Sequence, residues 1–496
     1  MKRVDVMRVR GDLPPGVVRG QSAWRGPWQH PAWGMVCGLW VCLLTGCTLL
    51  PDYRPPAMAM PAEFKESGWQ PAQPGDHLPR GAWWEWFGDA VLNRLEERLV
   101  LDNQSLKEAE ARYRVALAQV ETARAAFFPV LTGNLGISRG EAVNAKSVLT
   151  TRSLGSTASW EWDVWGRIRH AVEAGEAGAQ ASLTDLEGAR LSLQAQLAQN
   201  YFLLRVAEEQ QQLYRETLAA YEKSLTLTRN QLAAGVATPG DVAQAESQLK
   251  SAQAQALDTE LQHAQLEHVL AQLVGQVPAD FVLESAVLTG RIPVIPPGLP
   301  SELLERRPDV AAAERRVAAA NAQIGVATAA FFPALTLGAA GGYQGTSQAS
   351  WFTAPSRYWS LGPSLAAALF DNGLRQAQQA QALATYDQAV AHYRQTVLNA
   401  LQEVEDNLAA LRLLEAEAEA QEGAVQAARQ AQALAENQYR AGVVSYLVVG
   451  TTQAARLASE RAALSLRGRR YTAAVTLVKA LGGGWGGVAT QGEQEK

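Results

Sequence analysis

AQVETARAAFFPVL (residues 118–131) returns 204 positions later as AQIGVATAAFFPAL (residues 322–335), and this repetition decides the fold of the chain. A second pair follows: NQLAAGVATPGDVAQAES occupies 230–247 and NQYRAGVVSYLVVGTTQA occupies 437–454, an offset of 207. Repetition at a nearly fixed offset indicates that one structural unit occurs twice in the chain.

The segments that follow each Phe-Phe-Pro alternate between apolar and polar residues. In the first copy the alternation covers about 129–138 and 157–164, and in the second about 333–343 and 358–370. A period of two over about ten residues predicts strands with one apolar face. We therefore predict two hairpins, the first of which has a long polar loop at Arg139–Arg152.

Long proline-free segments rich in Ala, Gln, Leu and Glu follow both hairpins. They predict helices over about 167–274 and 374–480, each reversed once, at Gly235–Asp241 and at Gly442–Leu447. With a rise of ~1.5 Å per residue, some 65 residues of helix reach roughly 100 Å. Each reversal carries a glycine that can end a helix, and in the first a threonine before proline is a start signal.

The N-terminus has the pattern of a bacterial lipoprotein signal. A basic stretch leads into the apolar run MVCGLWVCLL at 35–44, whose last residue, Leu44, begins the sequence Leu-Thr-Gly before Cys47. The run is too short to span a bilayer, so we predict that residues 1–46 are removed and that Cys47 carries a covalent lipid. Aspartate after the cysteine favours retention at the inner membrane, whereas Thr48 stands here and favours the outer membrane.

These patterns divide the chain into six segments. Helical patterns over 90–126 and after Pro308 precede the two hairpins. Residues 1–46 are the signal peptide, 47–82 a proline-rich tether, 83–277 the first repeat, 278–300 a connector, 301–481 the second repeat and 482–496 a flexible tail.

The composition gives no support to catalysis or to nucleic-acid binding. The formal net charge is −5, and Cys47 is the one cysteine left after removal of the signal, which leaves no disulfide and no thiol metal site. His263 and His268 lie five positions apart and do not share a helix face as metal ligands would. Without a phosphate-binding glycine loop or a nucleophile elbow, we expect no enzyme and no cofactor other than the lipid.

The predicted strands need partners from other chains. The sequence has no apolar run of 18 residues, so we predict no transmembrane helix. A membrane barrel needs at least ~8 strands, and an open edge in lipid would leave backbone groups without hydrogen bonds. We therefore predict a mainly α-helical fold with a transmembrane β-barrel portion shared by several chains; three copies would supply twelve strands. Aromatic residues near the strand ends resemble the girdle of such a barrel: Phe127, Phe128, Trp162, Trp165, Phe331, Phe332 and Trp359.

Two motifs also carry a family resemblance. SELLERRPDV at 301–310, followed by AQIGVATAAFFPALTL, and WWEWFGDAVLNRLEERLVLDNQSLKEA at 83–109 resemble the outer-membrane factor family of TolC-like and OprM-like, NodT-type efflux lipoproteins. The resemblance covers about residues 48–481. It implies a homotrimer with a twelve-stranded barrel, a long α-helical periplasmic tunnel and a mixed equatorial region.

The same resemblance implies the partners. The two reversals would form the periplasmic tip that meets a periplasmic adaptor, itself bound to an inner-membrane transporter of the RND type, and transport through the channel would be passive. The tip residues that we assign to adaptor docking are Gly235, Thr238, Asp241, Gly442 and Ser445. Asp241 is equally consistent with a simple charge at a helix N-terminus.

The predicted aperture departs from the family pattern. Many relatives have Tyr-Leu-x-x-Leu-Asp-Ala-Gln-Arg after the second reversal, and here 446–454 read YLVVGTTQA. Thr451 replaces the aspartate and Ala454 the arginine, so the ring of carboxylates that favours cations is missing. We expect a weaker cation preference, with closure by packing of Leu447 or by hydrogen bonds of Thr451 and Gln453.

Two other functions remain open at this point. A duct for type I protein secretion would share most of these features, whereas a coiled-coil lipoprotein scaffold without a channel would use the long helices alone. The lipid attachment motif and the NodT-like motifs favour a duct for small molecules such as drugs and toxic compounds.

Overall fold

The computed structural model describes residues 53–58, 60–61, 64–65, 82–141, 148–288, 292–293, 295, 307–349 and 351–483. The predicted signal peptide and Cys47, the predicted site of lipid attachment, lie outside these residues, as do 484–496 of the predicted tail and 301–306 of the family motif.

The described residues form seven α-helices and four strands, arranged as two repeats. In chain order these are α1 (Ala90–Asp102), α2 (Gln104–Ala125), β1 (Val130–Glu141), β2 (Val148–Trp162), α3 (Arg167–Ala233), α4 (Pro239–Leu273), α5 (Pro308–Ala329), β3 (Ala334–Gly345), β4 (Arg357–Ala366), α6 (Leu374–Arg440) and α7 (Tyr446–Ala480). The order helix, hairpin, long helix, shorter helix occurs twice. The predicted fold class, mainly helical with four antiparallel strands, is confirmed.

The strands form one antiparallel sheet in the order β1-β2-β3-β4. Within the described residues β1 pairs only with β2, and β4 pairs only with β3. Each outer strand therefore has one edge whose backbone groups have no partner strand among the described residues.

The first hairpin is longer than the alternating pattern predicts. Strand pairing continues from Ser138 opposite Thr151 to Glu141 opposite Val148, so the predicted polar loop at Arg139–Arg152 is wrong. In the second hairpin β3 continues to Gly345, and β4 ends at Ala366, not near residue 370. Side-chain alternation reports which face is apolar, whereas the ladder depends on backbone groups that polar residues supply equally well.

One predicted helix is in fact two. The helical pattern over 90–126 is interrupted at Asn103, which ends α1 and begins α2. Its side-chain oxygen accepts a hydrogen bond from the Leu106 backbone N–H at 2.9 Å, and its amide donates to the Leu273 carbonyl at 2.8 Å. Asparagine is a favoured N-cap residue, so one helix ends and the next begins here although the sequence has no proline at this point.

The same local device joins each hairpin to a long helix. Gly166 and Gly373 precede α3 and α6 with φ angles of 77° and 84°, in the left-handed region that glycine adopts at little cost. Asp163 accepts hydrogen bonds from two backbone N–H groups in the first turn of α3, both at 2.8 Å. Asp371 accepts two as well, from the Gly373 N–H at 3.1 Å and from the Arg375 N–H at 3.3 Å. Both carboxylates lie beside the positive end of a helix dipole.

The long helices pack through small side chains. α3 and α6 each have 67 residues, about 100 Å of helix, and α4 and α7 each have 35. Many buried residues of α3 are alanines, which lets neighbouring helices approach closely. Among the described helices none is both long and apolar enough to cross a membrane.

The largest apolar cluster lies where α1 meets the long helices. Its aromatic centre is formed by Phe87, Phe202 and Tyr471. The ring centroid of Phe202 lies 4.9 Å from that of Phe87 and 4.5 Å from that of Tyr471. Arg307, just before α5, is clamped nearby between Asp309 at 2.6 Å and Glu403 at 2.7 Å. Burial opposes ionisation of Asp309, but the guanidinium outweighs it and holds the pKa of that carboxyl below its usual range. The Arg-Pro-Asp motif is therefore structural.

Candidate functional site at the helical tip and on the sheet

The first reversal is fixed by local hydrogen bonds. Gly235, with φ of 77°, follows α3, and its N–H donates to the Leu232 carbonyl at 2.9 Å. At the start of α4 the Thr238 hydroxyl accepts from the Asp241 N–H at 3.2 Å, and the Asp241 carboxylate accepts from the Thr238 N–H at 2.9 Å. This reciprocal capping box gives Asp241 a structural role, one of the two that its sequence position left open. Val236 is exposed at the turn.

The second reversal repeats the turn but not the cap. Gly442 also has φ of 77°, and its N–H donates to the Tyr439 carbonyl at 3.0 Å. Ser445 occupies the N-cap of α7, yet its side chain makes no cap hydrogen bond. Val443 is exposed at the position that matches Val236 in the first copy. The two reversals thus share their glycine and an exposed valine, whereas only the first is capped.

One apolar cluster joins the helices behind both reversals. Tyr221 and Leu225 of α3, Leu249 of α4 and Tyr446 of α7 are among its buried members. Burial raises the pKa of Tyr446 to about 12, so the phenol is neutral at physiological pH. The two helical hairpins are therefore packed together close to their turns.

The residues predicted for the aperture separate into two groups. Leu447, in the first turn of α7, is 58% exposed, and Thr451 one helical turn later is exposed with its hydroxyl donating to the Val448 carbonyl at 3.0 Å. Gln453 is 2% exposed and faces the opposite side of the helix. The structure therefore brings Leu447 and Thr451 together on one exposed face and does not place Gln453 there.

Gln453 instead links three helices. Its amide donates to the Ser224 hydroxyl of α3 at 3.1 Å and to the Glu436 carboxylate of α6 at 3.3 Å. Glu436 also accepts from the Gln432 amide at 2.6 Å. Sequence reasoning did not find this network because its members lie on three helices that only the tertiary fold brings together.

A second contact that sequence reasoning missed lies beside it. The Gln248 amide of α4 donates to the Gly450 carbonyl of α7 at 2.7 Å. A Cβ atom at Gly450 would come 3.1 Å from the Gln248 side-chain oxygen, so the glycine makes room for this contact. A signal was present: glycine stands where the family pattern has leucine.

The sheet has one apolar and one polar face. The register places Leu135, Leu154 and Tyr343 in one cross-strand row, and residues two positions along each strand share that face. The apolar side chains on it include Leu131 (75% exposed), Leu361 (66%) and Leu365 (68%). The opposite face carries small and polar side chains such as Thr132, Asn134, Ser153, Thr157 and Ser360.

Most of the predicted interface aromatics lie where the helices meet the sheet. Phe127, Phe128, Phe331 and Phe332 are exposed there, and so is Trp162 at the end of β2. Two tryptophans nearby are fixed by indole hydrogen bonds, Trp160 to the Phe127 carbonyl and Trp165 to the Pro333 carbonyl, both at 2.8 Å.

Trp359 does not belong to this set. It is the third residue of β4, opposite Gly341, and is 76% exposed at the end of the strand that begins at the hairpin loop. The other aromatics lie where helices meet the sheet, whereas Trp359 lies near the opposite end, because β4 runs antiparallel to β3 and reaches the helices only at its C-terminal end. Trp359 remains on the apolar face.

Comparison with known proteins identifies the chain. A profile of the family described as outer membrane efflux protein matches residues 96–276 and 299–483. The chain belongs to this family. The two matched segments coincide with the two repeats, so the duplication recognised in the sequence is a property of the efflux protein fold.

Individual relatives and a solved structure agree with this assignment. Pyoverdine export outer membrane protein OpmQ of Pseudomonas aeruginosa is 34% identical over 457 residues, which cover 90% of this chain and 95% of OpmQ. Cation efflux system protein CusC of Escherichia coli is 31% identical over 446 residues, covering 89% and 96%. The structure of the outer-membrane channel OprN is 32% identical, with a TM-score of 0.80 over 88% of this chain and 100% of OprN. The protein is accordingly an outer-membrane component of an efflux system.

Proposed function

We propose that this protein is the exit duct of a tripartite efflux system, through which small molecules such as drugs and toxic compounds leave passively. Three copies form a homotrimer whose twelve strands close one barrel in the outer membrane. The observation that carries the proposal is the sheet, which is exposed and apolar on one face, polar on the other, and without a partner strand at either edge in the described part of the chain. The proposal assigns no catalytic step to the chain.

The dimensions of the sheet fit this role. Its strands have 12, 15, 12 and 10 residues, enough for the 9–11 that a tilted membrane strand needs. Backbone groups in hydrocarbon need internal hydrogen bonds, so the free edge of β4 pairs with the free edge of β1 in the next copy. The apolar face then meets lipid and the polar face lines the lumen.

The helices continue the duct on the periplasmic side. All four strand–helix junctions lie at one end of the sheet, so all the long helices leave the membrane in one direction. The reversals with Gly235 and Gly442 then form the far tip. Exposed Val236 and Val443, repeated in each copy, offer apolar contacts for a periplasmic adaptor that connects the tip to an RND-type transporter in the inner membrane.

Lipid attachment at Cys47 completes the arrangement. The Leu-Thr-Gly-Cys sequence supports acylation, and Thr48 after it supports delivery to the outer membrane. The lipid is an anchor beside the barrel and has no part in conduction.

The aperture is formed at the tip by the exposed face of α7. Leu447 and Thr451 lie on that face, whereas the Gln453 network fixes α7 against α3 and α6 behind it. Without an aspartate ring, the field at the aperture is weak, and the channel discriminates little between cations and anions.

Planar-bilayer recordings test the proposal. The wild-type protein is expected to give single-channel conductance with a weak cation preference. Thr451→Asp places one added carboxylate per protomer at the aperture, so it should raise cation selectivity clearly. Thr385→Asp, an equal charge change on an exposed threonine near the sheet end of α6, should raise it less.

Two results would overturn parts of the proposal. A protein that inserts but never conducts would contradict the duct, and equal selectivity of Thr451→Asp and wild type would contradict the placement of the aperture. A drug-susceptibility profile of a deletion strain, restored by the gene in trans, identifies the cargo.

A further inference from the structure

Three arginines lie on the apolar face of the sheet at the end away from the helices. Arg152 on β2 is opposite Ile137, and Arg357 on β4 is opposite Tyr343, both of which belong to the apolar face. Arg139 is two positions beyond Ile137 and shares its face. All three therefore project on the side that meets lipid in the proposed barrel.

Their position along the strands is as informative as their face. The helices leave from the end of the sheet where β2 and β4 end, while the arginines lie near the opposite end, where β2 and β4 begin. With the helices in the periplasm, this end faces the cell exterior. The leucines of the apolar face lie between the arginines and the helices, so the arginines mark the depth at which lipid tails give way to headgroups.

These charges have little compensation within the chain. Arg139 and Arg357 are exposed, and among the described residues neither has a carboxylate within ion-pairing distance. Within the described part of the chain, Arg152 donates one long hydrogen bond, to the Thr346 carbonyl at 3.4 Å. Glu141 is the one acidic residue on the same face of the described strands, and it lies farther out than Arg139.

Two of the arginines are neighbours across the ladder. Arg139 is opposite Thr150, and Arg152 is opposite Ile137, so the two arginines form a diagonal pair on one face. Diagonal neighbours lie about 7–8 Å apart, within reach of long side chains. Like charges at that distance are unfavourable beside hydrocarbon unless an anion lies between them.

The proposed trimer brings in the third arginine. Pairing of the free β4 edge with the β1 edge of the next copy places Arg357 of one protomer on the strand beside β1 of its partner. Three consecutive strands then each present an arginine on the lipid face, and the seam is repeated three times.

We propose that these arginines bind the phosphate groups of a phosphorylated lipid in the outer leaflet, one at each seam. Guanidinium groups bind phosphate oxygens bidentately, and the apolar side chains next to them contact the acyl chains. A lipid fits this place better than free phosphate because charge and apolar surface are contiguous. The inference rests on the proposed trimer and its orientation.

Native mass spectrometry of the detergent-purified oligomer tests the inference. Diphosphorylated lipid A is the probe, and the comparison is between wild type and a variant with Arg139→Gln, Arg152→Gln and Arg357→Gln. We expect up to three lipids bound to the wild-type oligomer. Each arginine removed should lower the affinity for the lipid roughly fivefold, so the variant should bind it about a hundredfold more weakly. A control with Arg94→Gln, Arg114→Gln and Arg394→Gln, all exposed on helices, should bind like the wild type.

Further arms separate the possible ligands. Equal binding of the dephosphorylated lipid would overturn the proposal, because acyl contacts alone would then suffice. Displacement by an equal concentration of inorganic phosphate would also overturn it, since the site would then be a simple anion site. Undiminished lipid binding by the strand variant is the third contrary result.

The bilayer recordings keep this inference distinct from the duct itself. The arginines face away from the lumen, so the strand variant should assemble and conduct like the wild type. A variant that conducts normally and still binds the lipid refutes the lipid site alone, whereas a wild type that never conducts refutes the duct.

Discussion

Glu96 of α1 is a carboxyl group enclosed in apolar surroundings. It is 0% exposed, and neither of its oxygens has a hydrogen-bond partner among the residues that the structure describes. Leu92, Leu95 and Leu99 of the same helix belong to the main apolar cluster. Burial raises the pKa of Glu96 well above its usual range, so the folded protein keeps this proton to a higher pH than the unfolded chain does.

The raised pKa makes stability fall as pH rises. Above about pH 4 the unfolded chain releases the proton while the folded protein retains it, so folding becomes less favourable until the folded pKa is passed. Glu96→Gln removes this pH-dependent contribution to the free energy of unfolding. The variant should therefore unfold at a higher temperature than the wild type at pH 8 but not at pH 4. The variant's gain in the free energy of unfolding is at most about 1.4 kcal/mol for each pH unit above about pH 4.

Thermal unfolding at the two pH values measures this effect. Glu97→Gln is the matched control, because Glu97 is the next residue and is exposed. Equal behaviour of the two variants would show that Glu96 has no special contribution.

The two reversals are the elements in which the repeats differ most clearly. Both use a glycine with φ of 77° and expose a valine, but Thr238 caps α4 with its side chain and Ser445 does not cap α7. An N-cap side chain is typically worth about 1 kcal/mol of local helix stability. The first turn of α7 is therefore less firmly held by local bonds than that of α4, and it is the turn that carries Leu447.

Amide hydrogen exchange measures this difference. Thr238→Ala should speed exchange in the first turn of α4 roughly fivefold, because about 1 kcal/mol of local stability is lost. Ser445→Ala should leave exchange in the first turn of α7 almost unchanged. A similar acceleration in both would mean that Ser445 caps its helix in solution.

The whole molecule depends on contacts that one chain cannot make. Across the ranges that the structure describes, the sheet has unpaired edges on β1 and β4, and its exposed leucines would be unfavourable in water. Joining the edges of three copies in a membrane removes both problems, since the edge backbone groups gain hydrogen-bond partners and the apolar face meets lipid.

Electrophoresis in detergent without heating tests this assembly. We expect a band of three copies that dissociates only at high temperature. Cys47→Ser, exported with a cleavable signal that needs no lipid, should give the same band because the strands and not the lipid form the seam. A monomer released by mild aqueous washing would instead support a scaffold without a channel.

Local chemistry let much of the architecture be predicted from the sequence. Gly235 and Gly442 mark helix ends in the pattern and in the structure, because the left-handed conformation is nearly specific to glycine. The Phe-Phe-Pro sequences mark the change from helix to strand for a similar reason, since proline disfavours the helix before it. The sequence did not predict the break at Asn103, because an asparagine in a helical pattern does not always begin a new helix.

What the sequence determined by itself is the set of elements, their duplication and the apolar face of each strand, because these depend on residues close together in the chain. What only the tertiary structure decided is which distant residues meet, Gln453 with Ser224 and Glu436 and Gln248 with Gly450, and that Arg139 and Arg152 are diagonal neighbours on one face of the sheet. Register and helix packing decide those contacts, and a shift of one residue in the sheet would turn every strand side chain to the other face.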